Sequence, residues 1–250
     1  METMTFIAQG LRSYDNPATR IPVCVCMDIS GSMNEKIVGS DRTSLDELKD
    51  GVQKFLADIM NDEQACYAAE ICFITFGGDG AQIYQDFALA DQCKNIADLT
   101  AGGHTPTGEA VNLALSTLAA RKEYYKQHGI EYYQPWLVLM TDGTPINTDP
   151  TAYDNAIRNV AQLLRDRKLT VFPMGIGDKA NLKELAKLSP ERTPIRFDNT
   201  NFSLFLRFIG QTVVDVAKGD DGGNAVLNAG LLKDAHFDSG KIKGWDQLYT

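Results

Sequence analysis

Residues 21–27 read IPVCVCM, a run with no charged, amide or hydroxyl side chain. A strand with one face in water alternates apolar and polar residues. This run does not alternate, so protein covers both of its faces. Parallel sheets meet that condition, because their crossover helices lie above and below the strands. The run therefore points to an α/β architecture in which helical segments must come next.

They do. Ser44 with Glu47 three residues later forms a capping-box signature, and Leu45, Leu48, Val52, Phe55, Leu56 and Ile59 recur at helical spacing, predicting a helix to about Met60. AEICFITF at 69–76 is a second strand, and only Gly77, Gly78, Asp79 and Gly80 separate it from AQIYQDF. A parallel crossover needs a dozen or more residues, so the third strand returns antiparallel as a hairpin. A helix through Val111, Leu113, Ala114 and Leu118 leads to a strand at 136–140 that ends in Thr141, Asp142 and Gly143. A helix with Tyr153, Ile157, Val160, Ala161 and Leu164 precedes the strand LTVFPMGIG. A short helix near 182–188, the strand PIRF and a final amphipathic helix carrying Phe202, Phe205, Ile209, Val213 and Val216 complete the pattern. The expected fold is α/β: a doubly wound, mostly parallel central sheet with one antiparallel edge strand and helices on both faces. One domain at 20–217 accounts for it, preceded by a polar arm at 1–19. In the remaining segment, 218–250, GDDGGN has linker composition, and the residues after it carry too little periodic apolar surface to fold alone; docking onto the domain or onto another chain is expected.

Composition excludes several partners. The net charge of −9 and pI near 4.8 repel a phosphate backbone, so no nucleic acid is expected. The basic clusters Arg121, Lys122, Lys126 and Arg165, Arg167, Lys168 are expected to be solvated helix ends. No apolar run approaches the ~20 residues that cross a bilayer, and METMTFIAQGLRSYD lacks the pattern of a secretory signal. The expectation is a soluble, cytoplasmic protein with no membrane partner. Five cysteines without C-x-x-C spacing are expected as reduced thiols, with Cys24 and Cys26 acting as small buried hydrophobes.

Three polar clusters fall at or near the carboxyl ends of predicted strands: Asp28, Ser30 and Ser32 after the first, Thr105 before a helix, and Asp142 after the fourth. Ligands of open α/β sheets bind beyond those ends, where strand order reverses. An all-oxygen set without His or Cys selects a hard cation, and three hydroxyls with two carboxylates suit octahedral Mg²⁺, with Mn²⁺ as a substitute. Each residue has a plainer role open to it: Ser30 or Ser32 as a helix cap, and Thr105 as an N-cap before Pro106. Capping does not predict that all three segments occur together. His104 reads as a bystander, and Thr107 and Glu109 as helix-start residues.

DISGSM, GGHTPTGEA and LVLMTDGTP resemble the three segments of the metal-ion-dependent adhesion site of von Willebrand factor A domains, a resemblance that spans roughly residues 20–217. It implies a Rossmann-like fold in which Asp28, Ser30, Ser32, Thr105 and Asp142 surround Mg²⁺ and a partner's Asp or Glu completes the shell. RIPVCVCMDISGSM with FPMGIGD is most similar to the bacterial, intracellular A-domain proteins associated with tellurium resistance. That likeness implies an adaptor or scaffold in stress response or phage defence, with a kinase or phosphatase encoded nearby as partner. The insert GSDRTS and the tail depart from the pattern.

Two other functions compete on the residues. A metal-dependent phosphatase or hydrolase needs a second acid two positions after Asp28, where Ser30 stands; G-x-S-x-G is absent, and none of the three histidines falls in a recognisable motif. The other is a structural domain with no bound ion. The expectation is a binder and not an enzyme.

Overall fold

The computed structural model describes residues 18–37, 39–141, 149–176, 180–197, 213–214 and 216–217. Asp142 and residues 143–148, nearly all of the arm, most of the final predicted helix and the tail at 218–250 lie outside the described residues.

Among the described residues six strands form one sheet: β1 (Ile21–Asp28), β2 (Ala69–Gly77), β3 (Gly80–Leu89), β4 (Trp136–Thr141), β5 (Thr170–Ile176) and β6 (Ile195–Phe197). Their order is β3-β2-β1-β4-β5-β6. All neighbours are parallel except β2 and β3, whose short glycine-rich turn forces the expected antiparallel hairpin. The chain steps outward from β1 to β2 and β3, then crosses back to the other side of β1 to lay down β4. The reversal lies between β1 and β4.

Among the described residues, the helices with full bounds are α1 (Ser44–Met60), α2 (Glu63–Ala68), α3 (Thr107–Gln127), α4 (Pro150–Arg165) and α5 (Leu182–Lys187). The lack of alternation in β1 now has its cause. Val23, Val25 and Met27 pack with Leu48, Val52, Phe55 and Ile59 of α1 on one face. Cys24 and Cys26 pack with Cys72 and with Ala110, Val111 and Ala114 of α3 on the other. All eight residues of β1 are buried. Cys24, Cys26 and Cys72 are free thiols, and contact among them, together with burial, pushes the Cys24 thiol well above its ordinary range. They serve as small core residues, as expected.

Two local readings shift. The capping box of α1 belongs to Thr43 and Asp46, one residue before the expected Ser44 and Glu47. Thr43 is extended; its hydroxyl accepts from Asp46 N at 3.2 Å while its own N–H donates to the Asp46 carboxylate at 2.9 Å. Glu47 is drawn instead to Arg42, 2.8 Å away. The short helix α2, N-capped by Asp62, is absent from the sequence-based pattern, because six residues give too little periodicity to read.

Arg121 is not the solvated helix end that its neighbours suggested. At the base of the sheet, Glu70 at the start of β2 is 4% exposed and lies between two guanidinium groups. Arg121 approaches it at 2.6 Å and Arg20 at 3.2 Å. The Tyr125 hydroxyl also donates to Glu70, and burial together with that negative charge pushes its ionisation far above the usual tyrosine range. Arg20, 1% exposed, further donates to the carbonyls of Ala18 and Tyr67 at 2.9 and 3.1 Å. Among the described residues no helix is long and apolar enough to cross a membrane.

Candidate metal centre

Asp28 ends β1, and the register places its neighbour Met27 opposite Met140 of β4. The next residue of β4, Thr141, thereby comes alongside Asp28, and its hydroxyl donates to Asp28 Oδ2 at 2.6 Å. The other carboxylate oxygen accepts from Ser30 N at 2.8 Å. Asp28 and Thr141 are both fully buried. Both carboxylate oxygens thus have a hydrogen-bond donor. Sequence reasoning placed Thr141 at the strand end without giving it a role; its position directly before Asp142 was the signal.

The chain then turns through a short 3-10 segment, Gly31–Asn34. Ser30 stands at its N-cap position but makes no side-chain cap bond. Its hydroxyl instead lies 3.1 Å from that of Ser32, and Ser30 is only 1% exposed. The capping alternative for Thr105 also fails: the N-cap of α3 is Pro106, without a side-chain cap bond, and Thr105 is 1% exposed. Thr107 opens α3 and Glu109 occupies its first turn, as expected for helix-start residues. His104 is exposed.

Backbone hydrogen bonds fasten the loop that carries Thr105 to the one that carries the serines. Gly31 N donates to Gly103 O at 3.1 Å, Gly102 N to Ile29 O at 2.8 Å, and Gly78 N to Gly102 O at 2.7 Å. Ile29 N donates to Phe76 O at 2.8 Å, tying in β2. Three segments distant in sequence thus form one rim. Glycine is required at two points. Gly103 has φ +70°, and a Cβ there would overlap the backbone of Gly78; Gly77 has φ +153°, and a Cβ there would sit 2.6 Å from Ile29 O. The sequence showed these glycines but not which backbone each approaches.

Four of the five predicted site residues therefore lie at the switch point: Asp28 at the end of β1, and Ser30, Ser32 and Thr105 on two loops fastened together. Asp142 lies outside the described residues. Among the described residues, no group of three or more His, Cys, Asp or Glu side chains is placed to hold a metal. Serine and threonine hydroxyls, which are outside that class of ligand, make up most of this donor set.

The model of the von Willebrand factor type A domain matches residues 23–211. The chain belongs to the von Willebrand factor type A family. Its fold is shared with solved structures of low sequence identity. One is a von Willebrand factor type A protein from Catenulispora acidiphila, with 18% identity, a TM-score of 0.61, and coverage of 78% of this chain and 43% of that one. Another is the pilus adhesin SpaC from Lactobacillus rhamnosus GG, with 17% identity, a TM-score of 0.59, and coverage of 79% and 31%. A third is the manganese-loaded TRAP protein of Plasmodium vivax, with 16% identity, a TM-score of 0.51, and coverage of 72% and 68%. This chain thus spans less than half of the first two. No curated protein matches it. Within the family's fold, the Asp28 end of β1 and the Thr141 end of β4 meet where the strand order reverses.

Proposed function

We propose that this chain is a protein-interaction module that captures an acidic side chain of its partner through Mg²⁺, or Mn²⁺ in its place, held by Asp28, Ser30, Ser32, Thr105 and Asp142. The observation that carries this reading is the pair of Ser30 and Ser32 hydroxyls, 3.1 Å apart beside buried Asp28 and not spent on a helix cap. Oxygen donors of this kind suit a hard cation. When bound, the cation supplies an electrophilic position that an incoming carboxylate can fill.

The chain's own residues prepare that position. Thr141 and the Ser30 amide orient the Asp28 carboxylate, and the glycine-lined rim ties the loop of Thr105 to that of the serines. Neutral hydroxyls close to the ion leave its charge less compensated than carboxylates would. Family membership and the manganese-loaded Plasmodium relative support metal binding; the pilus adhesin supports a binding role over catalysis. Because one carboxylate gives little specificity, loops 33–43, 77–80, 102–104 and 143–150 add contact, with on the order of 1,000 Å² buried in a stable complex. We further propose a 20–217 domain flanked by the arm and the tail. From the likeness of its strand-one and FPMGIGD segments, we place it as a cytoplasmic bacterial adaptor in stress response or phage defence, with a kinase or phosphatase encoded nearby as partner.

The test is Mn²⁺ titration followed by electron paramagnetic resonance, with Ser30→Ala and Ser32→Ala in parallel. Saturable binding, weakened at least tenfold in both variants while melting without metal is unchanged, is expected. Equal binding by all three proteins, or none by the wild type, refutes the site. Metal-dependent phosphate-ester turnover that disappears in Asp142→Ala would shift the reading to an enzyme.

A further inference from the structure

A cavity of about 350 Å³ opens at the base of the domain, lined by Ala18, Thr19, Tyr67, Ala68, Tyr133 and Ala217 among others. It lies at the end of the sheet opposite the candidate metal centre. Its walls are held by Arg20: the guanidinium donates to Ala18 O and Tyr67 O, and Tyr133 N donates to Arg20 O at 2.8 Å. The groove is thus preorganised by the same buried arginine that faces Glu70. Tyr67 is 51% exposed, one of three large hydrophobic side chains so exposed among the described residues.

Ala217, on the remaining wall, points to the occupant. Val213, Val214 and Val216 are buried in the core, so the chain is anchored up to Ala217, and Ala217 itself lines the groove. The chain leaves the described fold at the rim. Residues 218–224, KGDDGGN, lead to residues 225–232, AVLNAGLL, an apolar stretch. At no more than about 3.5 Å per residue, the eight steps from Ala217 to Ala225 reach up to roughly 28 Å, ample to fold back over an opening that starts at Ala217. A tether of that length holds its segment at millimolar effective concentration, an advantage that a free partner lacks.

We propose that this groove is a docking site for the chain's own residues 225–232, which insert aliphatic side chains between Tyr67 and Tyr133. The inference is independent of the metal reading.

Hydrogen–deuterium exchange of the full chain by mass spectrometry tests it. Amides of 225–232 should exchange at least tenfold more slowly than an unprotected peptide, at all protein concentrations, and lose that protection in Tyr67→Asp and in Leu231→Asp. Protection of β1 checks that both variants stay folded. Exchange at the unprotected rate in the wild type overturns the proposal. Protection that grows with protein concentration overturns it in favour of a second copy. Protection of arm residues 5–12 instead, or protection of 225–232 that survives Tyr67→Asp, also overturns it.

Discussion

Replacing Glu70 by glutamine keeps the shape of a buried side chain but removes the carboxylate between Arg20 and Arg121. Arg20 is 1% exposed, Glu70 4%, and the Arg121 side chain 22%, so little water is available to take up the charges that remain. Removing one partner of a buried pair costs about 3–5 kcal/mol, because the other charge is left buried and uncompensated. Here two guanidinium groups would be left facing each other. A domain of about 200 residues loses roughly 2–4 °C of Tm per kcal/mol, so the variant should melt about 6–20 °C lower. Urea unfolding followed by circular dichroism and by tryptophan fluorescence gives the free energy and checks that the transition is two-state. Adding Arg20→Met to Glu70→Gln should recover part of the loss, since it withdraws one stranded charge. The exposed pairs of Arg42 with Glu47 and Asp50, at 2.8 and 2.5 Å, are the control: Arg42→Ala should cost under about 1 kcal/mol. If Glu70→Gln lies within about 1 kcal/mol of the wild type, the cluster is hydrated and the reasoning from burial fails.

Three more outcomes rest on particular contacts. Gly103→Ala should weaken Mn²⁺ binding at least tenfold by forcing the Thr105 loop away from Gly78, whereas Gly102→Ala, whose Cβ meets nothing within 4 Å, should not; equal affinities in the titration would show that the rim does not position Thr105. Burial pushes the Cys93 thiol up to about 11. At pH 8 it should react with a disulfide reagent roughly a hundredfold more slowly than a free thiol, with Cys66 labelled ahead of it and Cys24 only on unfolding; mass spectrometry of labelled peptides gives the order. The Thr43 amide and hydroxyl hold the Asp46 carboxyl below its ordinary value. A depressed folded-state pKa contributes stability that is complete above the unfolded value near 3.9 and lost as pH falls through the folded one. Asp46→Asn should therefore be less stable than the wild type at pH 7, and the gap should close as pH falls through the folded value; a gap that stays constant on acidification in urea titrations would deny the linkage.

Much of the fold was legible because its signals are local. Unbroken apolar strands, helical spacing and the four-residue turn 77–80 specify element type over a few residues, and together they imply the parallel sheet with its antiparallel edge. The fold also explains where sequence and structure part. A capping box moves by one residue because Thr43 with Asp46 and Ser44 with Glu47 have the same spacing, and only backbone geometry chooses between them. Arg121 reads as a helix-end cation because its partner Glu70 lies fifty-one positions earlier on another element.

The sequence by itself determined the alternation of strands and helices, the all-oxygen character of Asp28, Ser30, Ser32 and Thr105, and the glycines beside them. Tertiary structure decided that Thr141 orients Asp28, that Gly103 lies against Gly78, that the serine hydroxyls face each other instead of capping a helix, and that Arg20 and Arg121 share Glu70. The physical reason is range. Periodicity and side-chain chemistry are carried by neighbouring residues, whereas these contacts exist only once strand register and the crossover from β3 to β4 have brought distant segments within hydrogen-bonding distance.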